Sequence, residues 1–158
     1  MANTQAMTTS FMRQLLTGTH NFGVAPVRGS TAADTFKAAL YFASATIDAS
    51  TTAYSATGEV TGTGYTAGGA TVTNATVPAS SNTSATAGVA YWTPSASIVY
   101  STVTISTAFD AVLIYNSTQS NVAVSVHTFG SQTITAGTFT LTMPSNTTSS
   151  ALLRLATT

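Results

Sequence analysis

Six side chains in this sequence belong to the classes that perform acid–base or metal chemistry: Asp34, Asp48, Glu59, Asp110, His20 and His127. General acid–base catalysis needs two positioned carboxylates, or a carboxylate with a histidine. No two of the six are spaced so as to share one face of a strand. Asp34 and Asp48 fall in connector or crossover stretches, where Asx turns are common. Asp110 opens a strand pattern and Glu59 sits among glycines. His20 lies in a connector, and His127 in an alternating strand opposite a valine face, which predicts a surface or edge position. Two histidines remote in sequence from any carboxylate do not make a metal set.

Other chemistries fare no better. The chain has no cysteine, which excludes disulfides, thiolate zinc sites and a cysteine nucleophile. Serine is abundant, but there is no G-x-S-x-G elbow. The stretch Gly62-Thr-Gly64-Tyr-Thr-Ala-Gly68 approaches a dinucleotide-binding loop. Its third glycine comes one position late, no helical pattern follows, and the Lys-Ser/Thr ending of a P-loop is missing. The N-x-[ST] sequons at Asn74, Asn82, Asn116 and Asn146 are what a Ser/Thr-rich chain yields by chance. The expectation is therefore no catalytic residue, no cofactor and no metal: a protein that is not an enzyme.

The elements available to build a fold are of one kind. The 158 residues suit one domain, and 44% hydrophobic residues can fill a core. Only 5% are charged, against a usual figure of about 25%. The surface must then be made of Thr, Ser, Asn, Gln, Gly and Ala. With four basic and four acidic residues the net charge is zero, so copies of the chain do not repel one another. Arg13, Arg28, Lys37 and Arg154 are scattered, which argues against nucleic acid as a partner. The first nine residues lack the basic and apolar regions of a secretory signal. Apolar runs such as 111–115 are far short of the ~20 residues of a membrane helix.

At the N-terminus, Ser10 is the expected cap of a helix over 11–17, with Gly18 as its stop. Phe11 and Leu15, and Met12 and Leu16, each four apart, make an apolar stripe. Two turns of helix do not stand alone in water, so the stripe either covers one end of its own sandwich or grips a neighbouring subunit. The candidate subunit interface is Phe11, Met12, Leu15, Leu16 and Phe22. The chain divides into residues 1–33, a helix and extended arm, and residues 34–158, a β-sandwich.

From residue 34 onward the hydrophobic period is two. A half-buried strand is predicted over 36–42, then a polar crossover over 47–55. Gly58, Gly62, Gly64, Gly68 and Gly69 punctuate a loop around Val60 and Tyr65. Further strands are predicted over 71–76, 89–92, 98–105, 111–115, 122–127, 134–143 and 152–155, with 79–87 an exposed loop. Tyr91, Trp92 and Tyr100 are core or interface anchors, with Trp92 assigned to the core. Short strands with turns every 8–12 residues or so predict an all-β fold, a jelly-roll-like antiparallel β-sandwich with a short N-terminal helix.

Five blocks carry a resemblance: Thr19-His20-Asn21-Phe22-Gly23, Asp34-Thr-Phe-Lys-Ala-Ala-Leu-Tyr41, the Gly-Glu-Val-x-Gly-x-Gly-Tyr-x-x-Gly-Gly pattern from Gly58 to Gly69, Ala111-Val-Leu-Ile-Tyr-Asn116 and Ala151-Leu-Leu-Arg-Leu155. Together they resemble a group of small virion proteins of tailed bacteriophages, the glycine block being the most specific. If the likeness is to head decoration (cement) proteins, it implies a jelly-roll-like sandwich on the outer capsid surface. Such a protein would bridge capsomers through the major capsid protein and through copies of itself, as a dimer or trimer, with no role for nucleic acid or membrane. The other readings are a tail, collar or fibre component, and a glycan- or receptor-binding module.

Overall fold

The computed structural model describes residues 2–23, 32–74, 76–81 and 88–156. Eight strands and one helix follow in order: β1 (Ala6–Met7), α1 (Thr9–Leu16), β2 (Phe36–Phe42), β3 (Ala70–Val72), β4 (Ala79–Ser81), β5 (Val89–Trp92), β6 (Ile98–Asn116), β7 (Val122–Leu141) and β8 (Leu153–Ala156). They form a five-stranded sheet, β1-β7-β6-β2-β3, and a three-stranded sheet, β4-β5-β8. All named pairings are antiparallel. The fold is an all-β sandwich with a short N-terminal helix.

α1 begins two residues before the expected start, and its cap is Thr8, not Ser10. The Thr8 side chain accepts a hydrogen bond from Phe11 N at 3.3 Å, satisfying an amide the helix leaves unpaired. Thr8 is itself buried, with its hydroxyl 3.1 Å from Ala123 O on β7. The sheet thus chooses the cap. Gly18, at φ 63°, stops the helix as expected.

β2 occupies the predicted residues but is not half-buried. Phe36, Ala38 and Leu40 face the core shared with Trp92 and Leu153. Ala39 and Tyr41 face a second core with Leu113 and Tyr115, covered by Ala45, Ile47 and Tyr54 of the crossover. A central strand with layers on both sides has no polar face.

The largest departure is in the C-terminal half. Four short strands were expected over 98–105, 111–115, 122–127 and 134–143. The chain instead forms two long strands, β6 of 19 residues and β7 of 20, as one hairpin. Bulges interrupt the register, for instance between Tyr100↔Phe139 and Val103↔Gly137. There Thr102 takes φ 54°, and across the ladder Ala136 takes φ 49°. Each bulge shifts the alternation by one, so buried residues switch from Ile98 and Tyr100 to Val103 and Ile105. To a period-two reading such a switch looks like the end of a strand.

β5 has the predicted bounds, β8 lies one residue later than expected, and β3 is shorter. Of the expected loop over 79–87, the first three residues are β4; 82–87 lie outside the described residues, as do Pro26 and Gly29 of the connector and the Asn82 sequon. The segment expected as an arm at 1–33 is, over residues 2–23, integral to the sandwich. β1 pairs with β7, and the buried Asn3 bonds Phe42 O, Asp110 and Ile47 N. Phe11 and Phe22 lie in the main core, at 2% and 9% exposure.

Candidate functional site

Three of the six titratable residues singled out in the sequence, Glu59, His20 and Asp34, are built by the fold into two buried clusters. The first surrounds Glu59. Val60 N bonds Leu40 O, laying the glycine loop beside β2. The Glu59 carboxyl group then accepts hydrogen bonds from Tyr54 Oη at 2.6 Å, Tyr65 Oη at 2.8 Å and Gly68 N at 2.7 Å. Tyr115 Oη donates to Gly68 O at 2.8 Å, and Tyr65 Oη accepts from Leu40 N at 3.0 Å.

The loop lies so close to the sheet that side chains are excluded. A Cβ on Gly62 would strike the Thr104 carbonyl oxygen, and one on Gly69, which sits at φ 74°, the Ala38 carbonyl oxygen. An isolated bridge, Thr63↔Thr104, pairs the loop with the outer half of β6. Burial pushes the neighbouring Tyr41 hydroxyl up to about 12, and burial with the Glu59 hydrogen bond raises Tyr54 as well. These phenols are therefore donors at neutral pH. Both carboxyl oxygens already accept hydrogen bonds, so the cluster acts as a weld between loop and sheet.

The second cluster joins residues that the sequence keeps far apart. Asn116, at the end of β6, donates through Nδ2 to Asp34 Oδ2 at 2.7 Å and contacts His20 Nδ1 at 3.0 Å. His20 Nε2 lies 2.9 Å from Gln14 Oε1 on α1. An amide nitrogen only donates, so His20 Nδ1 accepts and Nε2–H donates to Gln14. Asp34 also accepts from Asn21 N at 2.8 Å and Gln119 Nε2 at 3.2 Å. Asn116 Oδ1 accepts from the backbone N–H groups of Thr118 and Gln119.

His20 and a carboxylate are thus brought into one cluster, which their sequence spacing did not suggest. The group between them is a carboxamide, which does not relay a proton as a carboxylate or imidazole would. Burial lowers the His20 pKa to about 4, with nearby Asp34 opposing in part. The ring stays neutral and packs edge-on against Phe11 at 4.9 Å. No spacing or motif in the sequence signalled this cluster, because its members are drawn from α1, the connector and the end of β6. Asn116 is 0% exposed, which removes its sequon from reach of a glycosyl transferase.

The remaining titratable residues are separate. Asp110 accepts from Asn3 at 2.6 Å, and Asp48 closes the expected turn by accepting from Ser50 N and Oγ, which lowers its pKa. His127 lies at the margin of the β1–β7 pairing, near the edge position expected, but is more enclosed than a surface residue. It is half-buried on β7, opposite Val112 of β6 and one residue past the pairing with β1, 2.9 Å from Ser125 Oγ, and burial lowers its pKa to about 4. It borders an open crevice of about 340 Å³ with Phe129 and Phe139. Among the described residues no three of His, Cys, Asp and Glu gather where they could hold a metal ion. No helix there is long and apolar enough to cross a membrane.

The five candidate interface residues separate into two groups. Phe11 and Phe22 belong to the chain's own aromatic core: Phe22 stacks on Phe36 at 4.4 Å and meets Trp92 edge-on at 4.7 Å. Trp92 is buried at 3% exposure, as expected. Met12 and Leu16 point outward, at 46% and 90% exposure. Leu15 lies between, half-buried at the margin of an apolar groove of about 150 Å³.

No family model, curated protein or solved structure matches this chain.

Proposed function

We propose that this chain is a structural protein of a tailed-phage virion: a capsid decoration or cement protein that binds the major capsid protein and further copies of itself, bridging capsomers on the outer head surface. The observation that carries the reading is where the charge lies. Asp34 and Glu59 are buried, Lys37, Asp48 and Asp110 are half-buried, and the described charged residues that stand fully exposed are Arg13 and Arg154. A surface of threonine, serine and amide groups lacks the repulsion that keeps freely diffusing proteins apart. It suits a subunit whose neighbours cover it.

The two buried clusters support a non-enzymatic role, because their acid and base groups are bonded to amides and phenols of the fold and not aimed into an open cleft. Tyr65 and Trp92, the aromatics that a glycan-binding reading would use, are occupied in the same way: one bonds Glu59, the other Thr76 O. In this reading each copy adds interface across a seam under internal pressure. Many linked contacts resist rupture together, since each is held at high effective concentration by the rest.

The test is to find and count the chain in purified particles. Copies by the hundred on the head, with heads that burst at lower temperature when the protein is removed, are the expected result. A few dozen copies at the tail would replace the reading with a tail or collar component.

A further inference from the structure

We infer that the outer flank of α1 and the groove beside it form the contact between two copies of this chain, related by a two-fold axis, with Leu16 of each copy seated in the groove of the other. The use of such a dimer rests on the assembly role proposed above; its chemistry rests on the surface alone.

Among the described residues, five large apolar side chains are exposed: Met12, Leu16, Val77, Val99 and Leu155. One of them, Leu155, lines an apolar groove, and three more belong to the helix or the chain segment beside it. The groove is lined by Phe11, Leu15, Phe22, Tyr91, Trp92 and Leu155, among others, with no charged side chain. Met12 and Leu16 stand on the same helix as Phe11 and Leu15, Leu155 is itself part of the wall, and Val77 precedes Pro78, which also lines it. Only Val99 lies elsewhere, on β6.

At about 100° per residue, Leu15, Met12 and Leu16 follow one another around α1 from the groove outward, with Arg13 beyond. Leu16, at 90% exposure, is therefore a knob next to a hole. The hole has a matching size: an apolar cavity of about 150 Å³ holds a benzene molecule, so one of the same volume accepts a leucine side chain. Knob and hole side by side on one surface are what a two-fold contact requires, since residue i of each copy meets residue j of the other.

The four exposed side chains present on the order of 400 Å² of apolar surface per copy, within the range of the largest patch on one subunit. Two such patches, with the groove walls they cover, bury on the order of 1,000 Å², the lower bound for a specific interface. Arg13 falls at the rim, where a charge has little effect on affinity.

Sedimentation of the full chain tests this. The wild type should be a dimer at micromolar concentration. Leu16→Lys should weaken the dimer at least tenfold and leave the far-ultraviolet circular dichroism spectrum unchanged, because the side chain is already exposed in the monomer; its melting temperature should no longer depend on concentration. Val99→Lys, away from the patch, should leave it intact. Since the chain has no cysteine, mixing a Leu16→Cys variant with a Leu155→Cys variant should give a disulfide-linked heterodimer under mild oxidation. A wild type that stays monomeric at hundreds of micromolar, or a dimer indifferent to Leu16→Lys, overturns the inference. A monomer that binds particles through Leu16 also overturns it, giving the patch to the shell. A Leu16-dependent dimer missing from particles upholds the inference and overturns the assembly role.

Discussion

The two buried clusters differ in what they fasten and in which direction they fail. The Glu59 weld holds the glycine loop to β2 and to the outer half of β6 through neutral phenols and backbone amides. The His20–Asn116–Asp34 cluster holds α1 and the connector to the turn end of the same hairpin, and it contains an imidazole held neutral. One therefore weakens under alkali, the other under acid. A chain with few charges uses each buried polar group as a fastener.

Gly69→Ala is the harshest way to break the comparison. The added carbon meets the Ala38 carbonyl at a left-handed φ, and a backbone clash of this kind should cost more than about 4 kcal/mol or prevent folding. Denaturant unfolding measures it; unchanged stability would mean that the loop does not press on the sheet. Asn116→Ala comes next. It strips a partner from His20, Asp34 and the amides of Thr118 and Gln119, for a loss of roughly 3–4 kcal/mol. A loss under about 1 kcal/mol in the same titration would mean that the cluster is dispensable.

The pH response should separate the clusters. His20 and His127 have folded pKa values near 4, below the ordinary 6.5. The unfolded chain takes up protons first, so stability is full above pH 6.5, declines as pH falls toward 4, and levels off below. Each histidine contributes roughly 3 kcal/mol to that decline. Tyr41 runs the other way: its pKa is raised from 10 to about 12, so stability is full below pH 10 and is lost as pH rises through 12. A pH–melting curve should show both limbs, and His20→Gln should remove about half of the acid one and leave the alkaline one unchanged. The smallest effect concerns the helix that carries Gln14. Thr8→Ala should cost about 1 kcal/mol through loss of the cap, and Ser10→Ala no more than about 0.5 kcal/mol. The reverse order in thermal melts would restore Ser10 as the cap.

How much of this was legible in the sequence depended on range. β2 and β5 could be bounded because their residues are apolar but for Lys37 and because Pro94 stands just beyond Trp92. β6 and β7 were split because bulges at Thr102 and Ala136 switch the buried face, and nothing local distinguishes a bulge from a strand end. Gly58, Gly64 and Gly68 read correctly as turn residues, whereas Gly62 and Gly69 are needed for close approach to the Thr104 and Ala38 carbonyls. That Glu59 reaches Tyr54, Tyr65 and Gly68 could not be read, because the convergence depends on how the loop lies on the sheet. The His20–Asn116 contact spans 96 residues and the Asp34–Asn116 bond 82; no periodicity reports such distances. Phe11 and Phe22 looked available for a partner because their contacts with Phe36 and Trp92 are remote in sequence, whereas Leu16 keeps that availability.

The β6–β7 hairpin also has a mechanical consequence. Its rungs run from Ile98↔Leu141 at the open end to Asn116↔Val122 at the turn, and cross-strand hydrogen bonds lie perpendicular to the strands. Tension along the strands loads all of these rungs in shear at the same time. Tension that parts the open end meets them singly, beginning at Ile98 and Leu141. A molecule built this way is stiff along its length and can be unzipped from one tip, so the direction in which neighbours pull on it decides how much load it carries.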